Sequence, residues 1–240
     1  EKMGGAALLS AGACLKSGAG YTRLYLPERY ASAAVERYPA CIVRPFNGLE
    51  EEILRADSIA VGMGMGVSKE LYGLIKQLLL SYRGTLILDA DALGALAIYG
   101  AEILKQKKCR VVLTPHLGEF SKLSGESVES LQNAPVGAAT AYAQKYAVTV
   151  LLKNNRSIVT NGERTAINVT GSPALAKGGS GDVLSGIVAA LAARIPVFEA
   201  CCAGSYLLGR AGEISAERLG EYCSDATDVI DCIPSAIANL

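Results

Sequence analysis

A glycine-rich segment that leads directly into an apolar helical pattern is the part of this sequence best suited to chemistry. Gly178, Gly179 and Gly181 surround Ser180, and Asp182 follows at the start of an apolar stretch. Glycines allow the backbone to turn sharply and to approach a ligand closely. A helix N-terminus adds unpaired N–H groups and the positive end of the helix dipole. The segment therefore predicts an anion site, typically for phosphate, with Asp182 as a base beside it.

Local structure offers a simpler explanation of the same segment. Asp is a favoured helix N-cap, and glycines often precede helices. The segment lacks the G-x-x-x-x-G-K-[ST] pattern of a P-loop, and no predicted strand leads directly into it as in a dinucleotide-binding fold. Taken by itself, the segment leaves a functional anion site and an ordinary glycine-rich turn equally open.

Four other polar or glycine-rich segments each follow a predicted strand, at residues 62–66, 89–93, 114–120 and 153–156. In open α/β sheets, ligands bind beyond the carboxyl ends of the strands, so these segments are expected to share one site. His116, the only histidine, can donate to a carboxamide or phosphate. Lys153 can lie over phosphates or extend into solvent, and Asp89 and Asp91 can instead act as helix caps.

The elements that must position these residues alternate along the chain. The pattern predicts an α/β fold with a central, mostly parallel sheet and helices on both faces. Asn161-Gly162, between two short apolar runs, predicts an antiparallel hairpin at one edge of the sheet. We interpret residues 1–240 as a single domain. Strands are predicted at 22–26, 58–61, 85–88, 110–113 and 148–152, and helices at 6–17, 69–82, 136–146, 182–193, 199–215 and 226–232.

Composition excludes several classes of protein. The 240 residues are half apolar, enough for a large core. Lys plus Arg and Asp plus Glu both number 23 and there is no Trp, which argues against a nucleic-acid partner. No apolar run approaches the roughly 20 residues of a membrane span, and residues 1–5 do not resemble a signal peptide. Seven cysteines without a C-x-x-C pair argue against a zinc site and predict reduced thiols in the cytoplasm.

Several segments together resemble the NAD(P)H-hydrate dehydratases, a family of the ribokinase-like superfamily. Residues 114–120 are similar to the family's TPHPGE segment, 86–93 to its LDADAL segment, and 178–187 to its GG-S/T-GD-x-L-x-G-I signature. Residues 5–20 and 224–230 resemble segments near the two ends of the family domain, so the resemblance covers nearly the whole chain. GGSGD is shared with other ribokinase-like enzymes, whereas the combination of TPHxGE and LDADAL is narrower.

The resemblance implies a repair enzyme that dehydrates the S-form of NADHX and NADPHX to NADH and NADPH. ADP or ATP, with Mg²⁺, would phosphorylate the ring hydroxyl, and phosphate would then be eliminated. Asp182 would be the base, and Gly178, Gly179 and Gly181 would form the anion hole. The family also tends to form homotetramers, and no protein-held metal is predicted. Its binding residues would be Ala6, Gly64, His116 and Asp182 for the hydrate, and Lys153, Asn154, Asn155, Arg156, Ser157 and Gly181 for the nucleotide.

The sequence departs from the family pattern at several positions. Met63 and Leu117 stand where the family usually has proline, Asn154 where it has glycine, and Lys177 where it has threonine. Lys177 would add a cation near the phosphates. The family also begins with a further strand, and in some members an epimerase domain, before Gly5. We expect that strand to exist, because its absence would leave sheet edges exposed.

Two other functions stay open on the sequence alone. A ribokinase-like small-molecule kinase, acting on hydroxyethylthiazole, hydroxymethylpyrimidine or a sugar, would share Asp182 and the anion hole. A nucleotide-binding module without catalysis would not need the base. The sequence does not distinguish ADP from ATP as the nucleotide.

Overall fold

Two sheets form the centre of the computed structural model, which describes residues 4–239. Strands β1 and β2 pair in parallel as a two-stranded sheet, and β3 to β8 form a six-stranded sheet in chain order. Within the larger sheet β3 to β6 are parallel, while β7 and β8 add an antiparallel edge. The predicted mostly parallel sheet and its hairpin edge are therefore confirmed. The strands are β1 (Arg23–Leu26), β2 (Ile42–Pro45), β3 (Ser58–Val61), β4 (Thr85–Leu88), β5 (Arg110–Leu113), β6 (Thr149–Leu152), β7 (Ile158–Thr160) and β8 (Thr165–Ile167).

Helices cover both faces of the larger sheet, as the sequence predicted. The crossovers between its parallel strands supply one face, and the first helix and the last three supply the other. The helices are α1 (Gly4–Lys16), α2 (Ala31–Arg37), α3 (Glu51–Leu54), α4 (Lys69–Ser81), α5 (Asp91–Tyr99), α6 (Leu117–Ser124), α7 (Val128–Asn133), α8 (Pro135–Tyr146), α9 (Ser180–Ala192), α10 (Val197–Leu219) and α11 (Ala226–Ala238). In the described part of the chain, no helix has the length and apolar character to cross a membrane.

The buried strands contribute side chains to two hydrophobic cores, because successive side chains point to opposite faces of the sheet. In β4, Leu86 and Leu88 pack among the helices of the crossovers, whereas Ile87 packs against α9 and α10. A strand buried on both faces is apolar throughout, which is why β4 to β6 are readily identified in the sequence. This packing holds the carboxyl ends of these strands beside the N-terminus of α9.

Several elements differ from the sequence prediction. β1 pairs with the unpredicted β2, whose Ile42 and Val43 are only partly buried and therefore give a weak pattern. Helix α9 begins at Ser180, two residues before the predicted start. Helix α11 continues through Pro234 to Ala238, because its apolar side packs into the core shared with α1, α9 and α10. Packing there outweighs the loss of one helical hydrogen bond.

A cavity of about 920 Å³ separates β1 from β3 and is lined by residues of both strands. Among the described strands, β1 pairs only with β2, and β3 only with β4. The additional strand expected from the family resemblance stays a prediction. Residues 1–3, part of the segment compared with signal peptides, lie outside the described residues, as does residue 240.

Candidate active site

The carboxyl ends of β4, β5 and β6 meet the N-terminus of α9 at one edge of the sheet. The Lys153 ammonium lies 2.8 Å from Asp89 Oδ1, and the Lys153 backbone N–H donates to Pro115 O at 2.7 Å. His116 and Lys153 form an isolated parallel bridge. A Cβ placed on Gly181 would lie 3.2 Å from Lys153 Nζ. The structure thus brings together four segments that the sequence placed in one site.

The glycine-rich segment forms the start of α9. Gly179 is the N-cap, with φ of 98°, and Val183 N donates a hydrogen bond to Gly179 O that closes the first turn of the helix. The amides of Gly181 and Asp182 precede that bond, so they and the helix dipole can act on an anion. Asp182 is the third residue of the helix, so its interpretation as an N-cap is wrong.

Asp182 carries the perturbed carboxyl group of the site. Its pKa is raised to about 6, chiefly by burial and then by the negative charge of Asp89; Asp91 and Glu119 also raise it, while Lys153 lowers it. A general base is most effective when its pKa lies near the working pH. Asp182 is therefore suited to accept a proton beside a bound anion.

The two aspartates after β4 point to different partners, and neither caps a helix. Asp89 is 1% exposed and bonds to Lys153, whereas Asp91 Oδ2 accepts from Gly66 N at 2.7 Å. Ala90 between them is the N-cap of α5 and makes no side-chain cap bond. Its φ of 47° and ψ of −116° are unfavourable for a residue with a Cβ, and such strain is typical of functional turns. Through its hydrogen bond from Gly66 N, Asp91 fixes the position of the loop that carries Gly64.

His116 is the N-cap of α6, and its ring accepts the hydrogen bonds of the cap. Nδ1 accepts from the backbone N–H groups of Gly118 and Glu119, and the Glu119 carboxylate accepts from His116 N at 2.8 Å. Because Nδ1 is an acceptor, the proton of the neutral ring lies on Nε2. The side chain is 60% exposed. His116 can therefore present a hydrogen-bond donor to a ligand while it stabilises the helix.

The predicted nucleotide segment forms a turn between β6 and β7. Lys153 points into the site, whereas the next residues bond to one another: Asn154 Oδ1 accepts from Asn155 N, Asn155 Oδ1 from Arg156 N, and Ser157 Oγ donates to Asn154 O. In the described part of the chain, Lys153 is the member of this segment that bonds to Asp89. The nucleotide-binding role of Asn154, Asn155, Arg156 and Ser157 stays a prediction.

The first turn of α1 carries Ala6, which is 5% exposed. Leu9, one turn later, packs close to Gly179, since a Cβ on that glycine would lie 2.7 Å from Leu9 Cδ1. Helix α1 therefore approaches the glycine-rich segment 178–182, the anion loop. The exposed Gly178 lies on the open side of the same loop.

Lys177 braces the anion loop. Its ammonium donates to Tyr222 O at 2.6 Å and to Ser224 O at 2.5 Å. Both carbonyls belong to the turn between α10 and α11. The interpretation of Lys177 accordingly changes from a cation near the phosphates to a contact between two loops.

Sequence reasoning missed Ser185, whose hydroxyl donates to Asp89 Oδ2 at 2.7 Å. The sequence did offer a signal for Ser185: it lies three residues after Asp182 in a predicted helix, and residues at that spacing share one face of the helix.

In residues 4–239, no group of three or more His, Cys, Asp or Glu side chains is arranged to hold a metal ion. Mg²⁺ commonly binds through substrate phosphates and few carboxylates, and the free amides at the start of α9 beside the partly buried Asp182 fit a phosphate that carries it.

Comparisons with known proteins point to one family. A family model described as NAD(P)H-hydrate dehydratase matches residues 1–235. The bifunctional NAD(P)H-hydrate repair enzyme of Thermofilum pendens is 34% identical over 251 residues, covering 98% of this chain and 48% of that protein. The chain spans about half the length of the curated relatives it matches.

Solved structures share the fold over the whole chain. The ADP/ATP-dependent NAD(P)H-hydrate dehydratase of Bacillus subtilis, co-crystallised with ATP and Mg²⁺ and soaked with CoA, superposes with a TM-score of 0.86. It is 25% identical, and the match covers 100% of this chain and 88% of that one. A hydroxyethylthiazole kinase of Pyrococcus horikoshii gives a TM-score of 0.66 at 18% identity, with 96% of each chain covered. At that identity, the kinase shares the fold alone.

Proposed function

Because this chain belongs to the NAD(P)H-hydrate dehydratase family, we propose that it dehydrates the S-form of NADHX and NADPHX to NADH and NADPH, driven by ADP or ATP. The observation that carries the proposal is Asp182, a partly buried carboxylate with a raised pKa in the first turn of α9. It combines a base with an anion site, which phosphorylation of a hydroxyl requires.

The proposed reaction proceeds in two steps. Asp182 removes the proton from the ring hydroxyl, whose oxygen forms a bond to the terminal phosphorus of the nucleotide. The bridging P–O bond breaks, and AMP leaves from ADP, or ADP from ATP. The ring C–O bond then breaks, phosphate leaves, and loss of a proton from the neighbouring ring carbon restores the double bond.

The surrounding residues support these steps through charge and orientation. The amides of Gly178, Gly179 and Gly181 stabilise the charge on the transferring group, and Lys153 adds a cation beside it. His116 donates its Nε2 proton to the carboxamide of the hydrate. Ala6 and Gly64 contact the hydrate, while Asn154, Asn155, Arg156 and Ser157 line the nucleotide site. Bound Mg²⁺ would neutralise phosphate charge, as the ATP/Mg²⁺ complex of the Bacillus subtilis relative supports.

The direct test is recovery of the reduced nicotinamide. Purified protein is mixed with hydrated NADPH, Mg²⁺ and either ADP or ATP, and the absorbance band of the reduced ring is followed. We expect the band to return only when nucleotide is present, with inorganic phosphate released. A stable phosphorylated alcohol would instead identify a small-molecule kinase, and nucleotide binding without turnover would identify a non-catalytic module.

Exposed apolar side chains and free cysteines bear on the assembly and the location of the protein. Exposed apolar side chains at Ile167, Val169 and Tyr206 lie along the β8 edge and α10 and offer a surface for contact between copies of the chain, which we propose form a homotetramer. Seven cysteines without disulfides support a cytoplasmic location. We also propose that residues 1–240 form one catalytic domain and that a further parallel strand occupies the cavity between β1 and β3.

Activity should depend on the ionisation of Asp182. The raised pKa means that the carboxyl group is protonated, and inactive as a base, below about pH 6. We expect kcat/KM to fall as the pH decreases through that value, to about one tenth of its plateau near pH 5. The measurement is kcat/KM against pH, with circular dichroism at each pH as a control for unfolding. A flat profile over this range, with the fold intact, would contradict the assignment.

The two roles of His116 can be separated by substitution. In His116→Asn, the amide oxygen can accept the hydrogen bonds that Nδ1 accepts from the backbone N–H groups of Gly118 and Glu119, but the Nε2–H donor is lost. We expect an almost unchanged Tm and a KM for the hydrate that is raised about tenfold, the value of one hydrogen bond. His116→Ala should raise KM similarly and also lower stability by about 1 kcal/mol. An unchanged KM in both variants would remove His116 from the hydrate site.

A further inference from the structure

We propose that Asp89 is a positioning residue for the proposed reaction, in that it holds the Lys153 ammonium against the anion loop and ties it, through Ser185, to the helix that carries Asp182. The inference rests on the proposed function and adds a residue to which no role has been assigned. Asp89 acts through Lys153 and does not itself contact the reacting groups.

The first observation is the burial and saturation of the Asp89 carboxylate. The side chain is 2% exposed, Oδ1 accepts from Lys153 Nζ at 2.8 Å, and Oδ2 accepts from Ser185 Oγ at 2.7 Å. Buried ion pairs contribute little net stability, and apolar pairs of similar size often hold a fold as well. The burial of this pair at the sheet edge therefore indicates a role in the site beyond stability.

The second observation is the place where Asp89 holds the ammonium. Lysine has a flexible stem with many rotamers. Glu119 also forms an ion pair with Lys153, but its Oε2 is 3.7 Å from Nζ, so Asp89 is the closer partner. Both Lys153 Nζ and Asp89 Oδ2 lie beside Gly181, at 3.2 and 3.8 Å from the position of an added Cβ. Asp89 thus selects the rotamers that keep the cation beside the amides of the loop.

The third observation is the connection to α9. Ser185 is fully buried and lies three residues after Asp182, so both side chains project from one side of the helix. Through its two oxygens, Asp89 joins the end of β6 to α9. The position of the cation is therefore coupled to the position of the base.

The backbone around Asp89 is built to hold that orientation. The unfavourable dihedral angles of Ala90 let Asp89 point inward while Asp91 points to the 62–66 loop. On the other side, Gly62 has φ of 121°, and a Cβ there would lie 1.9 Å from the Asp89 carbonyl oxygen. The turn is thus confined from two directions, which limits movement of the carboxylate.

A double-mutant cycle with Asp89→Asn, Lys153→Met and the double variant tests the proposal. The readouts are the Kd of Mg²⁺–ADP, measured by calorimetry, and the pH midpoint of kcat/KM. If Asp89 acts through Lys153, each single variant weakens nucleotide binding by about fivefold or more, and the double variant is no weaker than Lys153→Met. If the loss of affinity in the double variant equals the product of the losses in the two single variants, the two residues act independently and the proposal is overturned.

The pH midpoint separates positioning of Lys153 from the direct charge effect of Asp89. Asp89 raises the pKa of Asp182 and Lys153 lowers it, so Asp89→Asn lowers the midpoint directly, while release of Lys153 offsets part of that change. We therefore expect Asp89→Asn to lower the midpoint less in the wild-type background than in the Lys153→Met background. Equal changes in the two backgrounds would overturn the proposal. The nucleotide Kd is measured without the hydrate, so a failed dehydratase assay leaves the binding cycle interpretable and the two failures are distinguishable.

Two more variants complete the test: one replaces Asp89→Asn if that variant does not fold, and the other controls for nonspecific effects of removing a charge. Ser185→Ala keeps both members of the ion pair and should weaken Mg²⁺–ADP binding in the same direction but less than Asp89→Asn. If Asp89→Asn does not fold, an unchanged Kd in Ser185→Ala overturns the proposal. Glu199→Gln removes a surface ion pair with Arg164, whose atoms are 2.6 Å apart, and should change neither readout.

Discussion

Replacing Asp182 with Asn is expected to reduce kcat by about 10²- to 10⁴-fold while the affinity for Mg²⁺–ADP stays within about twofold. Asn has nearly the same shape, so it should leave the anion loop in place, but it cannot accept the hydroxyl proton. The measurements are hydrate turnover and calorimetric nucleotide binding on the same preparation.

The stability of this variant provides its control. The pKa of Asp182 is raised in the folded protein, so its ionised form is disfavoured by folding; that cost grows as the pH rises above the ordinary value of 3.8 and is complete above about pH 6. Asp182→Asn removes the cost and should not lower Tm at about pH 8. Normal turnover by the variant would show that the base is another group.

Replacing Gly179 with Ala is expected to lower kcat/KM by about 100-fold and to destabilise the protein by about 2 kcal/mol, because the substitution combines backbone strain with a collision. Gly179 has φ of 98°, which residues with a Cβ rarely adopt. The new Cβ would lie 2.7 Å from Leu9 Cδ1 and 2.9 Å from Ala226 Cβ. Either the anion loop or helices α1 and α11 must move, and the N–H groups of the loop then no longer point toward one anion.

Gly137→Ala is the matched control for this substitution. Gly137 lies within α8, and an added Cβ there meets no atom within 4 Å. Alanine favours the helix, so stability should stay the same or rise and activity should not change. Thermal unfolding and steady-state kinetics check both variants. Wild-type kinetics in Gly179→Ala would show that the loop geometry does not matter for the reaction.

The sequence by itself determined the class of fold and the segments of the candidate site. Strands buried on both faces are apolar along their whole length, and the intervening helices follow a 3.6-residue period, so β4 to β6 and most long helices were predicted from local pattern. The glycine-rich segment, the single histidine and the polar residues after the strands were likewise visible. These signals are local, because each depends on neighbours within about one or two turns of chain.

Only the tertiary structure decided how those residues act on one another. Asp89 meets Lys153 and Ser185 across 64 and 96 residues of sequence, and no local pattern specifies such a contact. The same holds for the Lys177 brace, where the sequence indicated a free cation but folding places two carbonyl oxygens against it. A residue type and its spacing determine which chemistry is available. Which group holds a charge, lowers or raises a pKa, or receives a proton depends on distances that packing of the whole chain sets.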